Sequence, residues 1–146
     1  MRRYIIDTDL YIELLRTGQY HDIIAEVYAK ETPNIYFSSV VVHELLSGVI
    51  SEEGKKNVET ILRPFEKVGR VITPSHSIWK EVGEILSILR KAKPNLKTKL
   101  SQLVNDALIA MSARAIGATV ITLNSYDFEV IKSVRKFSYM TINKNT

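Results

Sequence analysis

The residues best suited to chemistry in this 146-residue chain are acids. Asp7 and Asp9 directly follow a short apolar run. Glu44 lies about one turn into a helical stretch. Asp106 interrupts an otherwise apolar helical stretch, and Asn124 and Asp127 follow a second apolar run. Carboxylates gathered in one place repel each other and need a cation. A donor set of carboxylates and one amide is hard and oxygen-rich, which suits Mg2+ or Mn2+ and not zinc. His21, His43 and His76 are far apart, without zinc-ligand spacing, and there is no cysteine. A cation held by carboxylates can activate water and stabilise charge on a phosphate under in-line attack, so phosphodiester hydrolysis is the expected chemistry.

The elements that must position these acids follow from the pattern of apolar residues. Strands are expected at residues 4–6, 35–37, 71–73, 118–123 and 139–142. Helices are expected at 10–15, 21–30, 40–49 (capped by Ser39), 52–67, 75–91, 97–116 and 125–133. Gly69 and Gly117 stand where helices should stop. Strands alternating with helices imply an α/β fold, a three-layer α/β/α sandwich around a mostly parallel five-stranded sheet. Residues 104–116 are apolar on nearly every side, as in a buried central helix, apart from Asn105, Asp106, Ser112 and Arg114.

In an open parallel sheet, ligands bind beyond the carboxyl ends of the strands. Asp7 and Asn124 reach that edge directly. For Asp106 the distances decide. The 11 helical steps from Asp106 to Gly117 span about 16 Å at 1.5 Å each. The five strand steps from Ala118 to Leu123 return about 16 Å at 3.3 Å each. Asp106 should therefore stand level with Asn124, on the same rim as Asp7.

Each position also has a plainer reading. Asp7 or Asp9 could cap the helix that follows. Asn124 and Asp127 have the spacing of an N-cap and its capping-box partner. Glu44 could be a solvated helical glutamate, and His43 beside it a structural histidine. Asp106 could be half of a buried ion pair, because a buried carboxylate must be paired or bind metal.

Charge is unevenly spread. The chain carries +4 overall, with residues 1–73 holding 9 basic and 11 acidic residues and residues 74–146 holding 11 basic and 5 acidic. Arg90, Lys91, Lys93, Lys97 and Lys99 form the densest basic stripe, which could hold a polyanion such as RNA or form a solvated face. The apolar share of 45% and charged share of 25% are those of an ordinary globular domain. One domain over residues 1–146 is expected from the length. Absence of cysteine and of any long apolar run fits a cytoplasmic protein.

Four segments together resemble the PIN-domain nucleases, and among them the VapC-like toxin ribonucleases. They are YIIDTDLYIELL (residues 4–15), SSVVVHELLSG (38–48), NDALIAMSA (105–113) and ATVITLNSYDFEVI (118–131). No single segment is specific, but their order and spacing are. The resemblance implies catalytic and metal-binding roles for Asp7, Glu44, Asp106 and Asp127, with Asn124 as the alternative fourth ligand. Thr8, Asp9, Thr122 and Asn124 would support them. It also implies Mg2+- or Mn2+-dependent endonucleolytic cleavage of RNA, a cognate antitoxin and a homodimer. The departure is Asn124, since many members carry an acid there.

Two other readings stand beside this one. Asn124 and the basic stripe would suit a non-catalytic RNA- or partner-binding module on the same scaffold. Asp7-Thr8-Asp9 after a strand also resembles the nucleophile motif of haloacid-dehalogenase phosphotransferases. The glycine that usually follows that motif is missing, and its downstream lysine and paired aspartates are not evident.

Overall fold

The protein is described from a computed structural model that covers residues 2–19, 21, 22, 25, 28, 29 and 34–142. Five strands form the sheet: β1 (Arg3–Ile6), β2 (Ile35–Ser38), β3 (Val71–Ile72), β4 (Ala118–Thr122) and β5 (Ser138–Thr141). Six helices accompany them among the described residues: α1 (Thr8–Thr17), α2 (Ser39–Ser47), α3 (Glu52–Lys67), α4 (His76–Ala92), α5 (Leu100–Ala115) and α6 (Ser125–Lys132). A 3-10 turn at Pro94–Lys99 leads into α5. The helix expected over 21–30 falls partly outside the described residues.

The strand order is β3-β2-β1-β4-β5, and every pairing is parallel. The chain starts in the middle of the sheet, works outward through β2 to β3, and returns to β4 on the far side of β1. Parallel crossovers are right-handed, so reversing the direction of travel moves the helices to the opposite face. That gives the three layers. The reversal falls between β1 and β4, where ligands bind in open sheets of this kind. No helix among the described residues is long and apolar enough to cross a membrane.

The core follows the sheet. Ile5, Ile35, Phe37 and Val120 are fully or almost fully buried on the strands. On α5 the run from Ala107 through Ala113 is buried throughout, so the central helix expected from its composition is present. Tyr11 stacks on Phe37 with ring centroids 4.9 Å apart, and Phe65 meets Phe37 edge-on at 5.4 Å. Phe128 packs between α6 and β5 against Phe137 and Tyr139.

Several boundaries differ from the sequence reading, each for a local reason. The cap of α2 is Ser38 and not Ser39. Ser38 is still extended (φ −84°, ψ 135°) and its side chain accepts from the Val40 N–H, whereas the Ser39 hydroxyl bonds that of Thr73. Strand β3 stops at Ile72, leaving Thr73 to that contact. Helix α5 begins at Leu100 because Pro94 fits the start of a tighter 3-10 turn. Gly117 closes α5 at φ 66°, a left-handed conformation that strains any residue with a Cβ.

Phe128 is 0% exposed. Replacing it with alanine should destabilise the protein by about 3–5 kcal/mol, read as a lower urea midpoint in equilibrium unfolding.

Candidate active site

The register of β1 on β4 pairs Ile6 with Ile121 and so sets Asp7 beside Thr122. The Asp7 N–H continues the ladder by donating to the Ile121 carbonyl at 2.8 Å. Asp7 is also the N-cap of α1, and Oδ1 accepts from the Thr8 N–H at 2.8 Å. The capping reading is therefore correct and does not remove the residue from the rim. Its Oδ2 takes the Thr122 hydroxyl at 2.7 Å. Only 4% of Asp7 is exposed.

Asp9, two residues on, turns back to the end of β4. Its carboxylate accepts from the Leu123 N–H at 3.1 Å and lies 3.2 Å from the Thr122 hydroxyl. Thr122 has one proton for two carboxylates, and the shorter contact assigns it to Asp7. The same oxygen accepts from the Asn124 N–H at 2.9 Å, which fixes the turn into α6.

Glu44 is half-buried on α2 and comes to the same rim, so it is not a solvated surface residue. The Thr8 hydroxyl donates to its Oε1 at 2.6 Å, and the Asn105 amide donates to Oε2 at 3.3 Å. Asn105 has a place in the site that its sequence did not suggest. Its only signal was being polar on an apolar helix, next to Asp106. His43 is exposed on α2, and His21 and His76 are exposed elsewhere in the chain.

Asp106 reaches the height of Asn124 as the helix and strand lengths required. The Asn124 amide nitrogen lies 3.5 Å from Asp106 Oδ2 and 3.0 Å from Asp127 Oδ2. Among the described residues no lysine or arginine forms an ion pair with Asp106, so a buried ion pair does not account for it. Asn124 caps α6 by accepting from the Asp127 N–H at 3.3 Å. Asp127 also pairs with Lys99, whose Nζ is 2.8 Å from Oδ1. Lys99 therefore belongs to the rim and not to an open basic stripe. Arg90, Lys91, Lys93 and Lys97 remain exposed on the end of α4 and the 3-10 turn.

These placements have a large electrostatic consequence. Burial, then the neighbouring charge of Asp9, raises the Asp7 carboxyl to about 7 despite the hydrogen bonds from Thr122 and Thr8. Burial, then the charges of Asp7, Asp127, Glu44 and Asp9, raises Asp106 to about 8. Asp9 is also raised, chiefly by burial. A divalent cation would reverse all three shifts, and the donors are hard oxygens of the kind Mg2+ and Mn2+ prefer. As the side chains stand, no three acids or histidines among the described residues converge on one ion position. The donor set therefore fits such an ion in its chemistry, and the side chains would have to rotate before three of them could share it.

Beside Glu44 an apolar groove of about 460 Å³ runs between α1, α2 and α3. Ile12, Leu15, Leu45, Val49 and Val58 line it, and Glu44 forms the wall it shares with the acidic rim.

Comparison with known proteins agrees with this architecture. The PIN domain family matches residues 4–133. The DNA-bound VapBC structure from Salmonella typhimurium has a chain 22% identical, with TM-score 0.69, covering 97% of this chain and 98% of that one. VapBC2 from Rickettsia felis, bound to a DNA fragment from its promoter, has a chain 26% identical, with TM-score 0.60 over 96% and 98%. VapBC-1 from nontypeable Haemophilus influenzae follows at 23%, with TM-score 0.67 over 94% and 96%. No curated protein sequence matches.

Asp7 and Asp106 keep protons in the folded protein at pH values where the unfolded chain has lost them. From about pH 4 to about pH 8 the folded state therefore binds more protons, and its stability falls as pH rises. In EDTA, the melting temperature followed by circular dichroism should drop between about pH 5.5 and about pH 8.5. Asp106→Asn should flatten that slope.

Proposed function

The chain belongs to the PIN-domain family, and on that premise we propose that it is a Mg2+- or Mn2+-dependent endoribonuclease, the toxin of a toxin–antitoxin pair, built as a single domain over residues 1–146. The observation that carries this reading is the meeting of Asp7, Glu44 and Asp106 on one rim, where burial and mutual repulsion push Asp7 to about 7 and Asp106 to about 8. A site strained in this way is poised for a cation.

Asp7, Glu44 and Asp106 would hold the ion, with Asp127, or Asn124 in its place, at a fourth position. The ion's contribution is to lower the pKa of a water and to offset charge on the phosphodiester. The chain's own residues do the rest. Thr8 steadies both Asp7 and Glu44, through its N–H and its hydroxyl respectively. Thr122 orients Asp7, and Asp9 locks the end of β4 to α1. Asn105 aims Glu44 into the rim.

RNA is the proposed substrate and the cytoplasm the proposed place of action. Exposed Arg90, Lys91, Lys93 and Lys97 lie on the chain segment that leads to Lys99, so a backbone entering the site could follow them. The proposed partners are a cognate antitoxin and a second copy of the chain. The similarity to chains of VapBC structures supports the antitoxin. The groove beside Glu44 offers an apolar segment of that protein a seat from which it would also cover the carboxylates.

The haloacid-dehalogenase reading finds less support, because Asp7 is tied as a helix cap and held by Thr122 instead of standing free as a nucleophile. A non-catalytic module would show no specific Mn2+ uptake.

Asp7→Asn and Asp106→Asn should each lower Mn2+-dependent cleavage of a labelled RNA by about a thousandfold or more while keeping the far-ultraviolet circular dichroism of the parent. Full activity in both variants would sink the proposal. Changing Lys93 and Lys97 to glutamine should weaken binding of single-stranded RNA and lower the slope of log K against log salt by about 0.7 for each charge removed. An unchanged slope would mark these lysines as a solvated face.

A further inference from the structure

The acidic rim is not uniform. At one end, the partners of Asp7 and Glu44 among the described residues are neutral donors, namely the Thr8 N–H, the hydroxyls of Thr8 and Thr122, and the Asn105 amide. The Asp106 partner among the described residues is the Asn124 amide at 3.5 Å. At the other end, both oxygens of Asp127 are engaged. Oδ1 faces the Lys99 ammonium at 2.8 Å, and Oδ2 takes the Asn124 amide at 3.0 Å. Among the described residues, no lysine or arginine forms an ion pair with Asp7, Glu44 or Asp106, whereas Asp127 is paired directly with Lys99.

The fold supplies that counter-charge deliberately placed. Lys99 ends the 3-10 turn and precedes the first residue of α5. It stands seven residues before Asp106, and its ammonium lies near enough to feel the Asp106 charge as well as that of Asp127. Its ammonium also lies 4.7 Å over the ring of Tyr126, the residue next to Asp127. An ion pair and a cation–π contact from adjacent residues hold a side chain that would otherwise be free to swing. About a third of the Lys99 side chain is still exposed (35%). An ammonium has three donors, so donors remain for a ligand arriving at the rim.

We propose that Lys99 is the site's built-in second cation. It holds the Asp127 end of the rim, so that one divalent ion binds at Asp7, Glu44 and Asp106 and the RNA phosphodiester lies between that ion and the Lys99 ammonium. Two-metal nucleases place their ions about 3.5–4 Å apart and share carboxylates between them. Here a second ion would have to take Asp127 from Lys99 and sit against its positive charge, with neutral Asn124 where an acid would have helped. Asn124 and Lys99 both reduce negative charge at the same end, and they do so independently. Lys99 donates a hydrogen bond to a non-bridging phosphate oxygen. No covalent step passes through it.

This inference rests on the divalent-cation reading above, and calorimetry with Mn2+ separates the two. The parent protein should bind one ion. Asp106→Asn should lose it. Lys99→Met should bind Mn2+ about tenfold more tightly, because a like charge has gone, yet cleave labelled RNA about a hundredfold more slowly at saturating Mn2+. Lys99→Arg should restore both parental values. Uptake of two ions by the parent, or parental metal affinity and cleavage in Lys99→Met, would overturn the role of Lys99 and leave the nuclease reading standing. No uptake by the parent would overturn both.

Discussion

Everything in this structure is arranged around the difficulty of keeping carboxylates close together and out of water. Charged groups lose solvation on burial and repel one another at short range, and both effects act on Asp7 and Asp106. A protein core tolerates this only if rigid elements force it and some compensation is at hand. The parallel sheet provides the force. The register of β1 on β4 sets Asp7 beside Thr122, and α5 packs against β4 with Asp106 at the same level. The backbone at both acids is thus fixed by the ladder and by the central helix.

The compensation is graded. Asp7, Asp9 and Glu44 receive backbone and hydroxyl or amide donors, which orient them without neutralising them. Asp127 receives a full counter-charge from Lys99. Fully neutralising every acid would give a more stable protein with nothing left to attract a cation. Leaving every acid bare would make the rim too costly. The two helix caps serve both purposes: Asp7 on α1 and Asn124 on α6 satisfy helix ends while standing on the rim.

Ion pairs away from the rim show the contrast. Glu81 on α4 meets Arg114 of α5 at 3.4 Å, and Arg135 approaches Glu81 and Glu84 at 4.0 and 3.7 Å. These are partly exposed structural pairs with a cation for each acid, worth little individually. Arg3 completes the same end of the fold by donating to the Ile116 carbonyl at 2.8 Å. Arg3, Arg114 and Arg135 thus lie toward the amino ends of the strands, opposite the rim that carries Asp7.

The sequence by itself determined the class of fold and the two central acids. Alternating apolar runs fixed the order of strands and helices, because a period of two or 3.6 residues is a local property. Comparable lengths of helix and strand put Asp106 level with Asn124, because rise per residue is constant. Tertiary structure alone decided the partners. No spacing could show that Thr8 reaches Glu44 across 36 positions, that Asn105 does so across 61, or that Thr122 meets Asp7 across 115. Nor could it show that Lys99, counted in a basic stripe, turns inward to Asp127. Side-chain direction at a sheet edge depends on the register between strands and on where a helix axis lies, and those are set by packing over the whole chain. The acids were therefore legible as residues, while the balance of charge among them belonged to the fold.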